Sequence, residues 1–238
     1  LGIGVLIMSS IAPLLDAIFD GQKSALYAEF EGWVRGSRRF KAFATLYRDK
    51  IRAKLRAVRD ESGMKDVRAE LLAASILLAQ PAFNLEYERY AASKQRGPDF
   101  TVTFRSHTPF NIEVRRLRSA EWRDSDARAT QLAAVLCDKI GQMPPSIVNL
   151  LWLTADYAIA EPELIQALAA LRQRADSKDE DYFTRRSFKS AAGFLHQYRQ
   201  LSGILLHGTG DLRLWLNPLA KHKTPPEIAA ALQRLHGM

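Results

Sequence analysis

The stretch RGPDFTVTFRSHTPFNIEVRRLR, residues 96–118, contains two runs in which apolar and polar residues alternate. This alternation is typical of β-strands that have one face buried. The connection SHTP between the runs is short enough to predict an antiparallel hairpin centred near His107. The apolar positions are Phe100, Val102 and Phe104 in the first run and Phe110, Ile112 and Val114 in the second.

The polar face of this hairpin gathers charged residues. A two-residue period places Glu113 and Arg115 on the same side of one strand, and a hairpin centred near His107 brings Asp99 opposite Arg115 and diagonal to Glu113. Diagonal residues lie about 7 to 8 Å apart. Two carboxylates at that separation suit Mg²⁺ or Mn²⁺, which leaves coordination positions for water and a substrate phosphate. We therefore expect Asp99 and Glu113 to bind a metal ion.

The flanking patterns predict the elements around the hairpin. A helix that begins near Met64 carries Glu70 at the edge of its apolar face, where an unpaired charge is costly. Residues 83–90 alternate like a further strand, and a helix is expected from about 125 to 142. Residues 146–156 are apolar on both faces, as in a central strand.

The Pro98-Asp99 pair, followed by Glu113-Val114-Arg115, resembles the signature of the PD-(D/E)XK nucleases, the restriction-endonuclease-like superfamily. The resemblance covers about residues 62–156. It implies an α/β fold with a restriction-endonuclease-like core of a helix, a three-strand meander, a helix and a strand, with helical additions at both ends. It also implies that Asp99 and Glu113 bind metal and that Glu70 is an auxiliary acid.

The sequence departs from this signature at Arg115, where the family has Lys. Arginine stays protonated, so Arg115 could orient water or stabilise the transition state but could not act as a general base. Lys94 and Lys139 are candidates for a relocated lysine. In the alternative interpretation, Asp99 caps a turn and Glu113 forms a surface salt bridge with Arg115 or Arg116.

Three regions are predicted: an N-terminal helical extension (1–61), the nuclease-like core (62–156) and a C-terminal helical region with a short hairpin, packed on the core (157–238). The hairpin is expected around residues 209–211. The apolar N-terminus is interrupted by Asp16 and Asp20, which predicts an amphipathic helix from about residue 9 rather than a membrane anchor.

The charge and cysteine content bear on partners and compartment. The chain has 34 Lys and Arg against 26 Asp and Glu, a net charge of +8 that suits phosphate-rich partners. The basic series 35–60 is expected to be helical, with its charges either simply solvated or in contact with phosphates. Arg38, Arg39 and Arg116 are the candidates for binding nucleic acid. The single Cys137 excludes an intramolecular disulfide and favours a reducing, cytoplasmic setting.

The sequence therefore predicts a Mg²⁺- or Mn²⁺-dependent nuclease that acts on nucleic acid, with DNA preferred to RNA and no membrane partner. Two cuts in a duplex would need two active sites, which leaves a homodimer open. One alternative is a catalytically degraded nuclease fold that binds nucleic acid or a protein without cleavage. Another is an interaction protein whose basic helix docks on a partner.

Overall fold

The computed structural model describes residues 11–90, 97–118, 125–209 and 211–235. These residues form an α/β fold with ten helices and a six-stranded mixed sheet, which confirms the predicted class. The chain divides into two compact units, Leu1–Ser75 and Ile76–Met238. No helix among the described residues is both long enough and apolar enough to span a membrane.

The first unit is helical. Its helices are α1 (Ala12–Phe19), α2 (Ala25–Gly36), α3 (Arg38–Leu46), α4 (Arg48–Ala57) and most of α5 (Glu61–Ala79). The basic series is largely helical as predicted but is divided at Ser37 and Tyr47. The Oγ of Ser37 accepts a hydrogen bond from the Phe40 N–H at 3.1 Å and so caps α3. Phe40 packs edge to face on Phe30 with a ring centroid distance of 5.3 Å, which ties α2 to α3.

The second unit contains the sheet. Its strands are β1 (Phe83–Tyr87), β2 (Phe100–Phe104), β3 (Thr108–Arg116), β4 (Val148–Thr154), β5 (Gly203–His207) and β6 (Leu212–Leu216), in that spatial order. The β1–β2 and β2–β3 pairs are antiparallel, the β3–β4 and β4–β5 pairs are parallel, and β6 pairs antiparallel with β5. The predicted meander and the C-terminal hairpin are both confirmed. The hairpin extends the sheet, because β5 pairs with β4.

The register of the β2–β3 hairpin corrects a prediction. Phe104 pairs with Thr108, so only residues 105–107 form the turn, and Arg105 adopts a φ of 56°. The hairpin is therefore centred at Ser106 rather than near His107. Phe100 pairs with Ile112, and the same register carried one residue further places Asp99 opposite Glu113 instead of Arg115. The error arose because Thr108 and Pro109 read as turn residues, whereas both belong to β3.

The helices of the second unit are α6 (Ser125–Ile140), α7 (Glu161–Asp176), α8 (Glu180–Thr184), α9 (Ala191–Tyr198) and α10 (Pro226–Gln233). Side chains of α6, α7 and α9 form an apolar core with Leu151, Leu153 and Ile204 of the sheet. In chain order, α6 connects β3 to β4, and the helices α7 to α9 lie between β4 and β5. This core therefore covers the sheet face to which Glu113 and Arg115 belong, since they pair with Leu151 and Leu153.

Candidate functional site

The candidate site lies where β2 begins and β3 ends. Asp99 directly precedes β2, and Glu113 lies on β3 near its carboxyl end. Residues directly opposite on antiparallel strands have Cβ atoms about 4.5 to 5.5 Å apart. The observed register thus places Asp99 directly across from Glu113 rather than diagonal to it.

Asp99 is fixed by two backbone contacts. Its Oδ2 accepts a hydrogen bond from the Val114 N–H at 2.8 Å, and its carbonyl oxygen accepts one from the Glu88 N–H at 2.8 Å. The carboxylate therefore caps a β3 N–H just beyond the end of β2, and the carbonyl continues the β1–β2 ladder. Both contacts hold Asp99 in line with the strands and orient its carboxylate toward β3.

Glu113 forms an ion pair with Lys139 of α6. The two side chains are only 12% and 18% exposed, so the pair is largely buried. The alternative interpretation, in which Glu113 forms a surface salt bridge with Arg115 or Arg116, is wrong for the described part of the chain. Lys139 was one of the two candidates for a relocated lysine, and the other, Lys94, lies outside the described residues.

The two consecutive arginines lie on opposite faces of the sheet. Arg115 is half-buried, shares the face of Glu113 and makes no ion pair with any described residue. Arg116 is 9% exposed and pairs in register with Thr154, whose Oγ1 is 3.3 Å from His207 Nδ1. Strand alternation thus places only Arg115 beside the carboxylates.

The remaining candidates lie in the first unit. Glu70, on α5, forms an ion pair with Lys54 of α4, and the two side chains are 17% and 24% exposed. The Glu70 carboxylate is thus paired with a lysine, and its predicted role as an auxiliary acid stays a prediction. Arg38 is exposed and Arg39 is half-buried, and burial lowers the pKa of the Arg39 guanidinium from its ordinary value.

Sequence reasoning missed a neutral polar row on the same sheet face. Thr101 Oγ1 donates to Asn111 Oδ1 at 3.1 Å, and Asn111 Nδ2 donates to Asn149 Oδ1 at 3.0 Å. These three residues are at most 1% exposed. We call Thr101, Asn111 and Asn149 the amide row, and Asp99, Glu113 and Lys139 the charged row. An asparagine inside the apolar run 146–156 was the signal that could have revealed the amide row.

The donor set is suited to a hard divalent cation. Two carboxylates are the usual protein contribution to a Mg²⁺ site, because this ion retains several waters and binds substrate phosphate oxygens. Within the described ranges, no group of three or more His, Cys, Asp or Glu is placed to hold a metal. A metal at the charged row would therefore be held by Asp99 and Glu113 and completed by water or substrate.

No family model matches this chain, and neither a curated protein nor a solved structure resembles it closely enough to count as a match.

Proposed function

We propose that this protein is a Mg²⁺- or Mn²⁺-dependent nuclease that hydrolyses phosphodiester bonds in nucleic acid, with DNA as the preferred substrate. The observation that carries the proposal is the largely buried ion pair between Glu113 and Lys139 of α6, with Asp99 at the facing register position just before β2. This arrangement supplies the components expected of a PD-(D/E)XK site from residues in different elements. Lys139 supplies the ammonium that the sequence motif lacks.

Each residue has a distinct role in this proposal. Asp99 and Glu113 would hold the ion, which supplies charge neutralisation and a more acidic bound water. The ammonium of Lys139 orients the attacking water and stabilises anionic oxygens at the reacting phosphate. Arg115 adds positive charge on the same face, and it remains a cation throughout.

One observation favours the degraded nuclease fold as a second candidate. Lys139 already neutralises Glu113, so an incoming metal ion must compete with an ammonium for this carboxylate. If the ion pair is too stable to open, the site holds no metal and the protein binds nucleic acid without cutting it.

Cleavage assays on matched variants test the proposal. Plasmid, single-stranded DNA and RNA are incubated with Mg²⁺ or Mn²⁺ and with the parent, Asp99→Asn, Glu113→Gln or Lys139→Met. We expect each variant to lose about a hundredfold or more in rate. Asp138→Asn is the control, because Asp138 neighbours Lys139 on α6 but is 60% exposed and lies 3.7 Å from Arg186 instead.

The outcomes separate the candidates. Metal-dependent cleavage that survives in Asp99→Asn and Glu113→Gln would show that the activity comes from elsewhere. Salt-sensitive binding without cleavage by the parent would favour the degraded fold. Absence of both binding and cleavage would contradict both candidates.

A further inference from the structure

The net charge of the chain is concentrated in one segment of the first unit. Residues 38–59 contain nine Lys and Arg and a single acidic residue, Asp49, which gives a net charge of +8. The whole chain also carries a net charge of +8. The charges of the 25 basic and 25 acidic residues outside this segment therefore sum to zero. Such a distribution is an electrostatic footprint for a polyanion.

Within this segment, α4 is partly neutralised by ion pairs. Arg56 bonds to Asp20 at 2.7 Å, Arg52 bonds to Asp49 at 3.0 Å, and Lys54 pairs with Glu70. The Arg56 and Lys54 contacts connect α4 to the end of α1 and to α5, whereas the Arg52–Asp49 pair lies within α4. Much of the charge on α4 is accordingly accounted for by structure.

Helix α3 differs from α4 because it contains three cations and no acidic residue, and no acidic residue occurs anywhere in 32–48. Its inner face packs through Phe40, Phe43 and Ala44, which are buried. Arg38 is exposed and makes no ion pair with any residue that the structure describes. Its charge is not explained by the fold.

The outer face of α3 has the composition of a backbone-contacting surface. Arg38, Ala42, Thr45 and Leu46 are exposed there, and Leu46 is 72% exposed. The guanidinium of Arg38 is a common type of donor to phosphate oxygens, whereas the Thr45 hydroxyl donates to the Lys41 carbonyl at 2.8 Å. The small side chain of Ala42 leaves room for a close approach, and Leu46 offers an apolar contact to sugars or bases.

Arg38 lies at a position in α3 where a positive charge destabilises the helix. Arg38 and Arg39 occupy the first turn of α3, where the helix dipole favours negative charge. Helix α7, by contrast, has Glu161 and Glu163 in its first turn. A bound anion would offset the repulsion at the start of α3.

We propose that the outer face of α3, residues Arg38, Ala42, Thr45 and Leu46, binds the phosphate backbone of nucleic acid independently of base sequence. The proposal deepens the proposed function by naming a surface for the substrate, and rests on it for the choice of nucleic acid among polyanions. Its test is separable, since binding is measured without metal and therefore without cleavage.

The test uses a fluorescein-labelled 20-base-pair DNA duplex and the matching RNA duplex in EDTA, titrated with parent, Arg38→Gln and Arg38→Glu proteins. We expect Arg38→Glu to weaken binding about tenfold, and Arg38→Gln to lower the slope of log affinity against log salt by about 1. The melting temperature of Arg38→Glu should equal or exceed that of the parent, because the substitution removes the conflict with the helix dipole. A rise in stability together with a loss of binding would distinguish a binding role from a structural one.

Lys223→Glu is the matched control, because Lys223 is an exposed lysine of the second unit and the charge change is the same. The proposal is overturned if Arg38→Glu binds like the parent, or if Lys223→Glu weakens binding equally. It is also overturned if Arg38→Glu no longer binds phosphatidylserine vesicles but still binds nucleic acid, because the surface would then bind a membrane instead. If the parent protein binds nucleic acid through Arg38 but never cleaves it, the proposed nuclease activity is contradicted and the proposed binding surface on α3 is supported. If the protein cleaves nucleic acid and Arg38→Glu binds it as tightly as the parent does, the nuclease activity is supported and the binding surface on α3 is contradicted.

Discussion

The amide row and the charged row are neighbours on one sheet face but differ in chemistry. In the amide row, β2, β3 and β4 each contribute one neutral side chain, and all three are essentially inaccessible to solvent. Beside the charged row, the β4 position that pairs with Glu113 is the apolar Leu151, and the third charged group comes from α6 instead. The amide row thus joins three strands through neutral hydrogen bonds, whereas the charged row joins β3 to α6 through an ion pair whose side chains are 12% and 18% exposed.

The largest expected effect comes from Asn149→Ala in the amide row. The Asn149 amide nitrogen lies 2.8 to 3.1 Å from the carbonyl oxygens of Pro144, Ile147 and Gln200, among which it shares its two N–H donors. The Asn149 amide oxygen accepts from Asn111. Truncation leaves several buried polar groups without partners, which we expect to cost about 3 to 5 kcal/mol in the free energy of unfolding. Urea denaturation measures this loss.

The control for this prediction is Asn84→Ala on β1. Asn84 is exposed and donates to the Arg105 carbonyl at 3.2 Å, so its loss should cost less than about 1 kcal/mol. Equal destabilisation by the two variants would show that the amide row is no more important to the fold than a surface amide.

A smaller loss is expected from Lys139→Met in the charged row. Removal of the ammonium leaves Glu113 largely buried without its cation, but its 12% exposure lets water reach it. We expect a cost of about 1 to 2 kcal/mol, below the value for a fully buried pair. The double variant Glu113→Gln/Lys139→Met should recover part of this loss in a double-mutant cycle. Strictly additive losses would mean that the pair contributes no coupling.

Lys139→Met also tests whether the Lys139 ammonium and Mg²⁺ compete for the Glu113 carboxylate. If the ammonium and Mg²⁺ compete for the carboxylate, added Mg²⁺ should raise the melting temperature of Lys139→Met more than that of the parent. Glu113→Gln should abolish the Mg²⁺ effect. An identical Mg²⁺ response in all three proteins would place any bound ion elsewhere.

The strands of the meander could be predicted from sequence because alternation of apolar and polar residues directly reflects burial on one face. The pairing register could not, since it depends on whether Thr108 and Pro109 lie in the turn or the strand. A shift of the hairpin centre by one residue moves the partner of Asp99 by two, from Arg115 to Glu113. The predicted face was therefore preserved while the predicted neighbour was wrong.

The partners of the site residues were harder to predict than the strands. Lys139 lies 26 positions from Glu113, and its contact depends on how α6 crosses the sheet, which a local pattern does not specify. Asn149 was hidden for a different reason, because its neighbours make the strand read as uniformly apolar. Both contacts depend on tertiary packing. The sequence identifies the residues that could make a contact, but the packing of α6 and the strands decides which contacts form.

The reactivity of Cys137 measures how strongly the amide row and the charged row each stabilise the packing of α6 on the sheet, and it is the last and smallest effect that we predict. It lies on α6, two residues before Lys139, and is fully buried in the core. Burial raises the pKa of the Cys137 thiol to about 12, so the native thiol is protonated at pH 8 and should react only after α6 opens. Because the unfolded thiol ionises first, the free energy of unfolding should fall as pH rises above about 9.

Labelling of Cys137 with a thiol reagent therefore measures the opening of α6. In the parent we expect labelling about a thousandfold slower than in urea, as an opening free energy of about 4 kcal/mol would give. Asn149→Ala should accelerate labelling strongly, because it weakens the strands against which α6 packs, whereas Lys139→Met should accelerate it only slightly. If Lys139→Met instead labels as fast as Asn149→Ala, the ion pair holds α6 on the sheet, and the charged row is then a structural element as much as a candidate site.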